Sequence, residues 1–303
     1  MTTLSPAHSI LGLMKPVHQK LRHGRSTAAR NLFATLLLLL GLASAHAADA
    51  LAPTEIEQGF QNMYNLDFET AHQDFSSWER MHPEDPMGPV SQATGFLFAE
   101  FARLGILESQ LFTDDKEFEA RSKLRPDPKV REQFFGAVDR GDQLADAALK
   151  LHADDSNALF AKVLAMGLRS DYVALIDKED LAALSYMKQG RILAQQLLQQ
   201  KPDAYDAFLA VGVENYMTGI KPAPVRWMLR MGGIKPDKEQ GIRELQETAT
   251  HGNLLKPFAK LLLAVAALRD KNDAQGCGLL HELAVAYPHN PLYRNNVPEC
   301  AAH

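Results

Sequence analysis

The sequence predicts an all-α fold, on three observations. Apolar residues recur with helical periodicity along nearly the whole chain. No run of alternating Val, Ile and Thr bounded by turns reads as a strand. Stops such as His82-Pro83-Glu84-Asp85-Pro86, Lys201-Pro202-Asp203 and Tyr287-Pro288-His289-Asn290-Pro291 fall where helices would end. The 303 residues are 46% hydrophobic and 23% charged, which excludes a collagen-like, a disordered and a disulfide-dense small fold.

The first 47 residues differ from the rest. They hold Lys15, Lys20, Arg22, Arg25 and Arg30 and no acidic residue, then the apolar run from Leu32 to Leu42, then Ala43-Ser44-Ala45-His46-Ala47-Ala48-Asp49. Basic, apolar, then small residues at Ala45 and Ala47 is the secretory signal pattern, with cleavage expected before Ala48. The apolar run is about half the roughly 20 residues a membrane span needs. No Cys follows it for lipid attachment and no Arg-Arg pair precedes it. The expected organisation is therefore a leader over 1–47 and one exported domain over 48–303, periplasmic in a cell with two membranes and secreted otherwise. No later apolar run is long enough to span a bilayer.

The charge reading follows from that division. The whole chain carries 32 basic and 37 acidic side chains, a net −5. Removing the leader's five basic residues leaves 27 against 37, a net −10. Nucleic-acid binders present a net basic face, so no nucleic-acid partner is expected.

The helical elements come in pairs. Gly59 begins the first unit, followed by the turn Asn65-Leu66-Asp67, then Ala71, Phe75 and the stop Pro83. A small residue lets paired helices approach, an aromatic fills the gap, and Pro ends the second helix. Weaker versions of the second half recur as Gly141, Ala145, Ala148 and Ala153; Gly190, Ala194, Leu197 and Pro202; Gly241, Leu245, Thr248 and Asn253; and Gly276, Leu280, Leu283 and Pro288. Of these, the Gly241 set fits least well. Residues 255–268 read as a buried Ala/Leu-rich helix. Residues 181–199 read as a helix with an apolar stripe of Leu181, Leu184, Met187, Ile192, Leu193, Leu197 and Leu198.

These motifs resemble the tetratricopeptide repeat (TPR) family, whose helix–turn–helix unit carries a Gly in its first helix, then A-x3-F and a closing Pro. Only the last interval between stops is near that family's repeat length of about 34 residues. The family's bulky first-helix aromatic has no clean counterpart. The chain also resembles uncharacterised exported bacterial TPR-like proteins through Tyr64-Asn65-Leu66-Asp67-Phe68 and Pro222-Ala223-Pro224-Val225-Arg226-Trp227, a likeness that implies no activity. The resemblance implies a right-handed α-solenoid of about five TPR-like hairpins, with irregular insertions near 113–132 and 220–236. It also implies a non-catalytic scaffold that binds a protein or peptide in a concave groove, without cofactor.

Groove candidates come from the first helices: Ile56, Phe60, Met63 and Tyr64 in the first unit, and Tyr205, Leu209, Asn215 and Tyr216 in the fourth. Tyr and Asn suit peptide contact, although core packing between units is the competing role for each. Two segments depart from the repeat. Asp114 to Glu132 is a mixed-charge stretch with two Pro, a solvated insertion or a docking arm. Lys221 to Gly233 encodes a short helix, opened by a Pro pair and closed by a Gly pair, with Val225, Trp227, Met228, Leu229 and Met231 against Arg226 and Arg230. It is a wedge on the solenoid, a partner-binding helix, or a peripheral membrane contact.

Cys277 and Cys300 are expected to form a disulfide that staples the terminal unit in an oxidising compartment. Cys277 and His281 share a helix face, but no further ligands accompany them, so no metal site is assigned. His281-Glu282-Leu283-Ala284-Val285 lacks the second His of a zinc protease motif, and the sequence contains no phosphate-binding glycine loop, G-x-G-x-x-G or G-x-S-x-G element. No catalytic residue is nominated. The rival functions are a helical enzyme acting on envelope polysaccharide, which would need convergent carboxylates in a deep pocket, and a purely structural spacer.

Overall fold

A computed structural model describes residues 53–106, 124–295 and 300. The leader over 1–47 and its cleavage point lie outside the described residues. Every regular element among the described residues is helical. In chain order these are α1 (Glu55–Tyr64), α2 (Phe68–Met81), α3 (Met87–Arg103), α4 (Pro128–Leu151), α5 (Ser156–Tyr172), α6 (Asp180–Gln200), α7 (Phe208–Gly219), α8 (Ala223–Met231), α9 (Lys238–His251), α10 (Lys256–Arg269), α11 (Asp273–Ala286) and α12 (Leu292–Asn295). A π-helical turn (Val173–Asp177) follows α5, and a 3-10 turn (Tyr205–Ala207) leads into α7.

The chain chemistry explains the starts. Thr54 and Glu57 form a reciprocal capping box at the head of α1. Asp67, Asp127, Asp155, Asp237 and Asn272 accept backbone N–H groups at the heads of α2, α4, α5, α9 and α11, satisfying donors that the helix leaves open. Pro128 occupies the first turn of α4, where its missing N–H costs nothing. Only 113–123 of the expected 113–132 insertion lies outside the described residues. Its end is a correction: Pro128 to Glu132 is the first turn of a 24-residue helix, because Asp127 and Pro128 together make a strong helix start.

The ends match the sequence reading closely. Helices α2, α4, α6, α9 and α11 end at Met81, Leu151, Gln200, His251 and Ala286, each two residues before an expected stop at 83, 153, 202, 253 or 288. The principal packing pairs are α1 with α2, α3 with α4, α5 with α6, α7 with α9, and α10 with α11. The expected small residues sit at these crossings. Ala71, Gly141, Gly190, Gly241 and Gly276 are all buried. A methyl group on Gly241 would overlap the Tyr216 amide and the Gly212 carbonyl; one on Gly59 would overlap the Phe75 ring. The Gly241 set, which fits the repeat least well as sequence, thus makes one of the tightest helix contacts.

Helix α3 lies at the centre. Every residue from Met87 to Gly95 is buried, and Val90, Ala93, Leu97 and Phe101 join a core that also takes in Ile56, Phe60, Met63, Phe75, Phe134, Tyr172, Leu254 and Tyr287. The stretch from Met87 to Ala99 carries no charged residue, and the polar Ser91, Gln92 and Thr94 are buried with it. Gln92 explains itself: its amide donates to the His72 carbonyl (3.1 Å) and the Ser76 hydroxyl (2.8 Å), tying α3 to α2. The expected stripe on α6 holds at Leu197, but Leu181 and Ile192 point to solvent, 85% and 55% exposed.

Candidate interaction surface

The first hairpin is joined to chain positions some 200 residues away. The Tyr64 hydroxyl donates to the Leu254 carbonyl (3.0 Å), and the Asn290 amide donates to the Tyr64 carbonyl (2.9 Å). The Tyr64 ring lies 5.5 Å from that of Tyr287, and Phe98 bridges Tyr64 to Phe258. Burial accordingly lifts the Tyr64 hydroxyl well above its usual pKa. The turn that meets it is locked by Asp206, which accepts the backbone N–H groups of Asn253, Leu254 and Leu255. The inward face of α1 is therefore occupied by the protein's own side chains.

That occupancy corrects the expected groove. Phe60 and Tyr64, with Ile56 and Met63, are core residues at 5% exposure or less. Asn215 and Tyr216 are buried as well. Asn215 donates to the Glu244 carboxylate at 2.7 Å, and Gln240 donates to the other oxygen at 2.8 Å. Beside them Glu214 is buried and pairs with Arg191 at 3.4 Å; burial pushes its carboxyl up, and Arg191 opposes that. These polar residues tie α6, α7 and α9 together, because a buried polar group costs stability unless it finds a partner. Tyr205 is half-buried, 4.8 Å from the His251 ring, and its carbonyl accepts from the Thr248 hydroxyl at 2.8 Å. A residue alternating toward an inner face looks the same in sequence whether that face meets a ligand or a distant helix.

Near the α6–α7–α9 ties lies a recess of about 350 Å³, lined by Gln195, Leu198, Gln199, Phe208, Val211 and Glu244. Its single carboxylate is Glu244, whose two oxygens are held by Asn215 and Gln240. A smaller recess of about 190 Å³ lies between the heads of α1, α3 and α5. There Asp85 accepts from Trp78 (2.9 Å), Asn157 (2.7 Å) and the Met87 amide (2.9 Å). Among the described residues no three His, Cys, Asp or Glu side chains gather as a metal site would require.

The segment expected as an insertion at 220–236 is where candidate residues reach solvent. Helix α8 contains no buried residue. Trp227 is 63% exposed and Arg230 is also exposed. Arg226 departs from its expected role: it is half-buried and donates to the carbonyls of Lys221 (3.1 Å) and Gly219 (3.4 Å), closing the end of α7. Gly233, at φ +82, ends α8. Its N–H bonds Arg230, and that of Ile234 bonds Leu229, a left-handed cap that suits glycine. At the far end of the chain Cys277 and Cys300 are joined in a disulfide, with Cα atoms 5.4 Å apart. No described helix is long and apolar enough to cross a membrane.

Compared with known proteins, the chain matches no family model and no curated protein.

Proposed function

We propose that this chain is an exported, non-catalytic interaction scaffold, a right-handed TPR-like solenoid of five helix hairpins that binds a polypeptide partner. The observation that supports it is the recurring register: a buried small residue at each hairpin crossing, and a helix end ten residues later. Ala71 to Met81, Gly141 to Leu151, Gly190 to Gln200, Gly241 to His251 and Gly276 to Ala286 repeat it without exception. Stacked hairpins of one register make a rigid frame for displaying side chains.

The partner does not enter between the first helices, whose inner aromatics fill the core. Its seat is the recess at α6, α7 and α9, whose lining combines Gln195, Gln199 and Glu244 with the apolar Leu198, Phe208 and Val211. That mixture suits an extended peptide, which offers apolar side chains and unpaired backbone groups together. A photo-crosslinking residue at Gln199 is expected to capture one discrete polypeptide in the exported fraction, and Leu198→Glu to abolish the adduct with unchanged circular dichroism. Equal labelling from the exposed, remote Glu69, or none from Gln195 and Gln199, would reject the seat.

A further inference from the structure

Helix α8 turns its apolar side outward. Pro224, Trp227, Met228 and Met231 follow the i, i+3, i+4, i+7 spacing that aligns residues on one helix face, and all four are exposed. Trp227 and Met228 are each 63% exposed and Met231 is 71% exposed. In a soluble chain such a stripe normally faces the core. Here the inward side is Val225, Arg226 and Leu229, only half-buried, and the helix is held at both ends: Arg226 fastens its head to the end of α7, and the Gly233 cap with buried Ile234 fastens its tail. The stripe is thus presented on a fixed helix.

The charge around it selects an occupant. From Asn215 to Pro236 the chain carries Lys221, Arg226, Arg230 and Lys235 and no acidic residue, in a protein with five more acidic than basic side chains. Arg230 sits on α8 between Trp227 and Met231, and Lys221 and Lys235 flank the helix at either end, all three exposed. Tryptophan and methionine set among exposed cations match the boundary of a bilayer, where an indole lies at the headgroups, an apolar face sinks about 5–10 Å, and basic side chains meet lipid phosphates. A groove on an acidic protein could also use the cations. It would not require an outward apolar stripe with cations at both ends of the helix.

We infer that α8 is an interfacial foot that docks the protein on an anionic phospholipid bilayer through Trp227, Met228 and Met231, with Arg230, Lys221 and Lys235 reading the surface charge. This attachment is independent of the partner seat on α6, α7 and α9. The scaffold is held at a membrane face by a helix that lies on the lipid without crossing it.

The test uses the native chain, in which Trp227 and Trp78 are the two indoles. The protein is mixed with vesicles of phosphatidylcholine, or of phosphatidylcholine and phosphatidylglycerol in equal parts, with and without brominated acyl chains. The expected result is a blue shift and bromine quenching with the anionic vesicles only. Both disappear in Trp227→Phe, an exposed position where the fold is not at stake, and weaken in high salt. Arg230→Glu with Lys235→Glu is expected to lower the partition coefficient about tenfold or more, at about 1 kcal/mol per basic residue near such a surface. The leader contains no Trp, so lipid contact by residues 1–47 does not produce the signal. An unchanged spectrum with anionic vesicles overturns the inference, as does equal quenching by neutral ones. A blue shift without lipid that grows with protein concentration, alongside dimers in sedimentation, would assign the stripe to a second copy instead.

Discussion

The hydroxyl of Tyr64 donates to the carbonyl of Leu254 across 190 positions of sequence, buried and at 3.0 Å. One bond therefore joins the first hairpin to the turn that precedes α10. Its surroundings make it specific: the ring is boxed by Phe60, Phe98 and Tyr287, and the Leu254 amide is itself held by Asp206. Tyr64→Phe keeps the ring and orphans a buried carbonyl. The expected cost is about 1–3 kcal/mol, read from the urea midpoint at unchanged slope. A midpoint equal to that of the parent would mean that water reaches Leu254 and that the two ends of the chain are less firmly joined.

The glycines divide into those that cannot grow and those that can. Gly241 lies against backbone atoms of Gly212 and Tyr216, which cannot swing aside as the end of a flexible side chain can. Gly241→Ala is expected to destabilise by about 1–3 kcal/mol by forcing α7 and α9 apart. Gly136, exposed within α4, has no neighbour within 4 Å of an added methyl. Gly136→Ala is expected to stabilise by about 0.5–1 kcal/mol, since alanine fits a helix better and restricts the unfolded chain. Paired thermal melts decide both. A destabilising Gly136→Ala or a neutral Gly241→Ala would undo the distinction.

How much of this could be read from sequence depends on what periodicity encodes. It reports that a face is buried, and at Gly59, Phe75, Gly190, Leu197 and Leu280 the burying surface is the neighbouring helix, so hairpins and stops were legible. It does not report which surface does the burying. Phe60 and Tyr64 carry groove-like chemistry, yet the core they join includes Leu254 and Tyr287, far away in the chain and on separate turns. Asn215 read as a peptide contact because its partner, Glu244, lies 29 residues on. Conversely, the stripe of α8 was legible as amphipathic, but its outward direction was not, since a wheel of nine residues has no marker for inside.

The disulfide concerns the last hairpin alone. Cys277 lies on α11 and Cys300 is 23 residues further on, so the bridge closes a short loop. In the chain-entropy account a loop of this size contributes about 3 kcal/mol by restricting the unfolded state. Reduction, or Cys277→Ser with Cys300→Ser, is expected to speed hydrogen exchange in α11 and leave the rates in α3 nearly unchanged. Equal acceleration in both helices would show that the terminal unit does not open separately.

Lys271 holds a left-handed backbone, φ 58, in the turn between α10 and α11, where its N–H bonds the Leu268 carbonyl. The side chain is exposed, so the residue gains little from packing to offset a conformation that favours glycine. Lys271→Gly is expected to stabilise by up to about 1 kcal/mol in denaturant melts, the opposite sign from glycine placed within a helix. Loss of stability would mean that the side chain contributes more than its backbone strain removes.

Asp171 lies half-buried in the last turn of α5, and loss of solvent around its carboxyl pushes it from an ordinary value near 3.8 up to about 7. The folded chain therefore holds this proton over a range where the unfolded chain has released it. Below about pH 4 the group is protonated in both states and the folded chain carries no charge at this half-buried site. As pH rises toward 7 the unfolded state is favoured progressively, and above that range the cost of the poorly solvated charge is constant. Asp171→Asn keeps the size and removes the titration. The variant's stability relative to the parent is thus expected to climb between about pH 4 and pH 7 and then level off, measured by urea unfolding across that range. Subtracting the parent at each pH cancels the other titrating groups, which the two chains share. A gap that stays flat with pH would mean that water solvates this carboxylate as freely in the folded protein as in the unfolded chain.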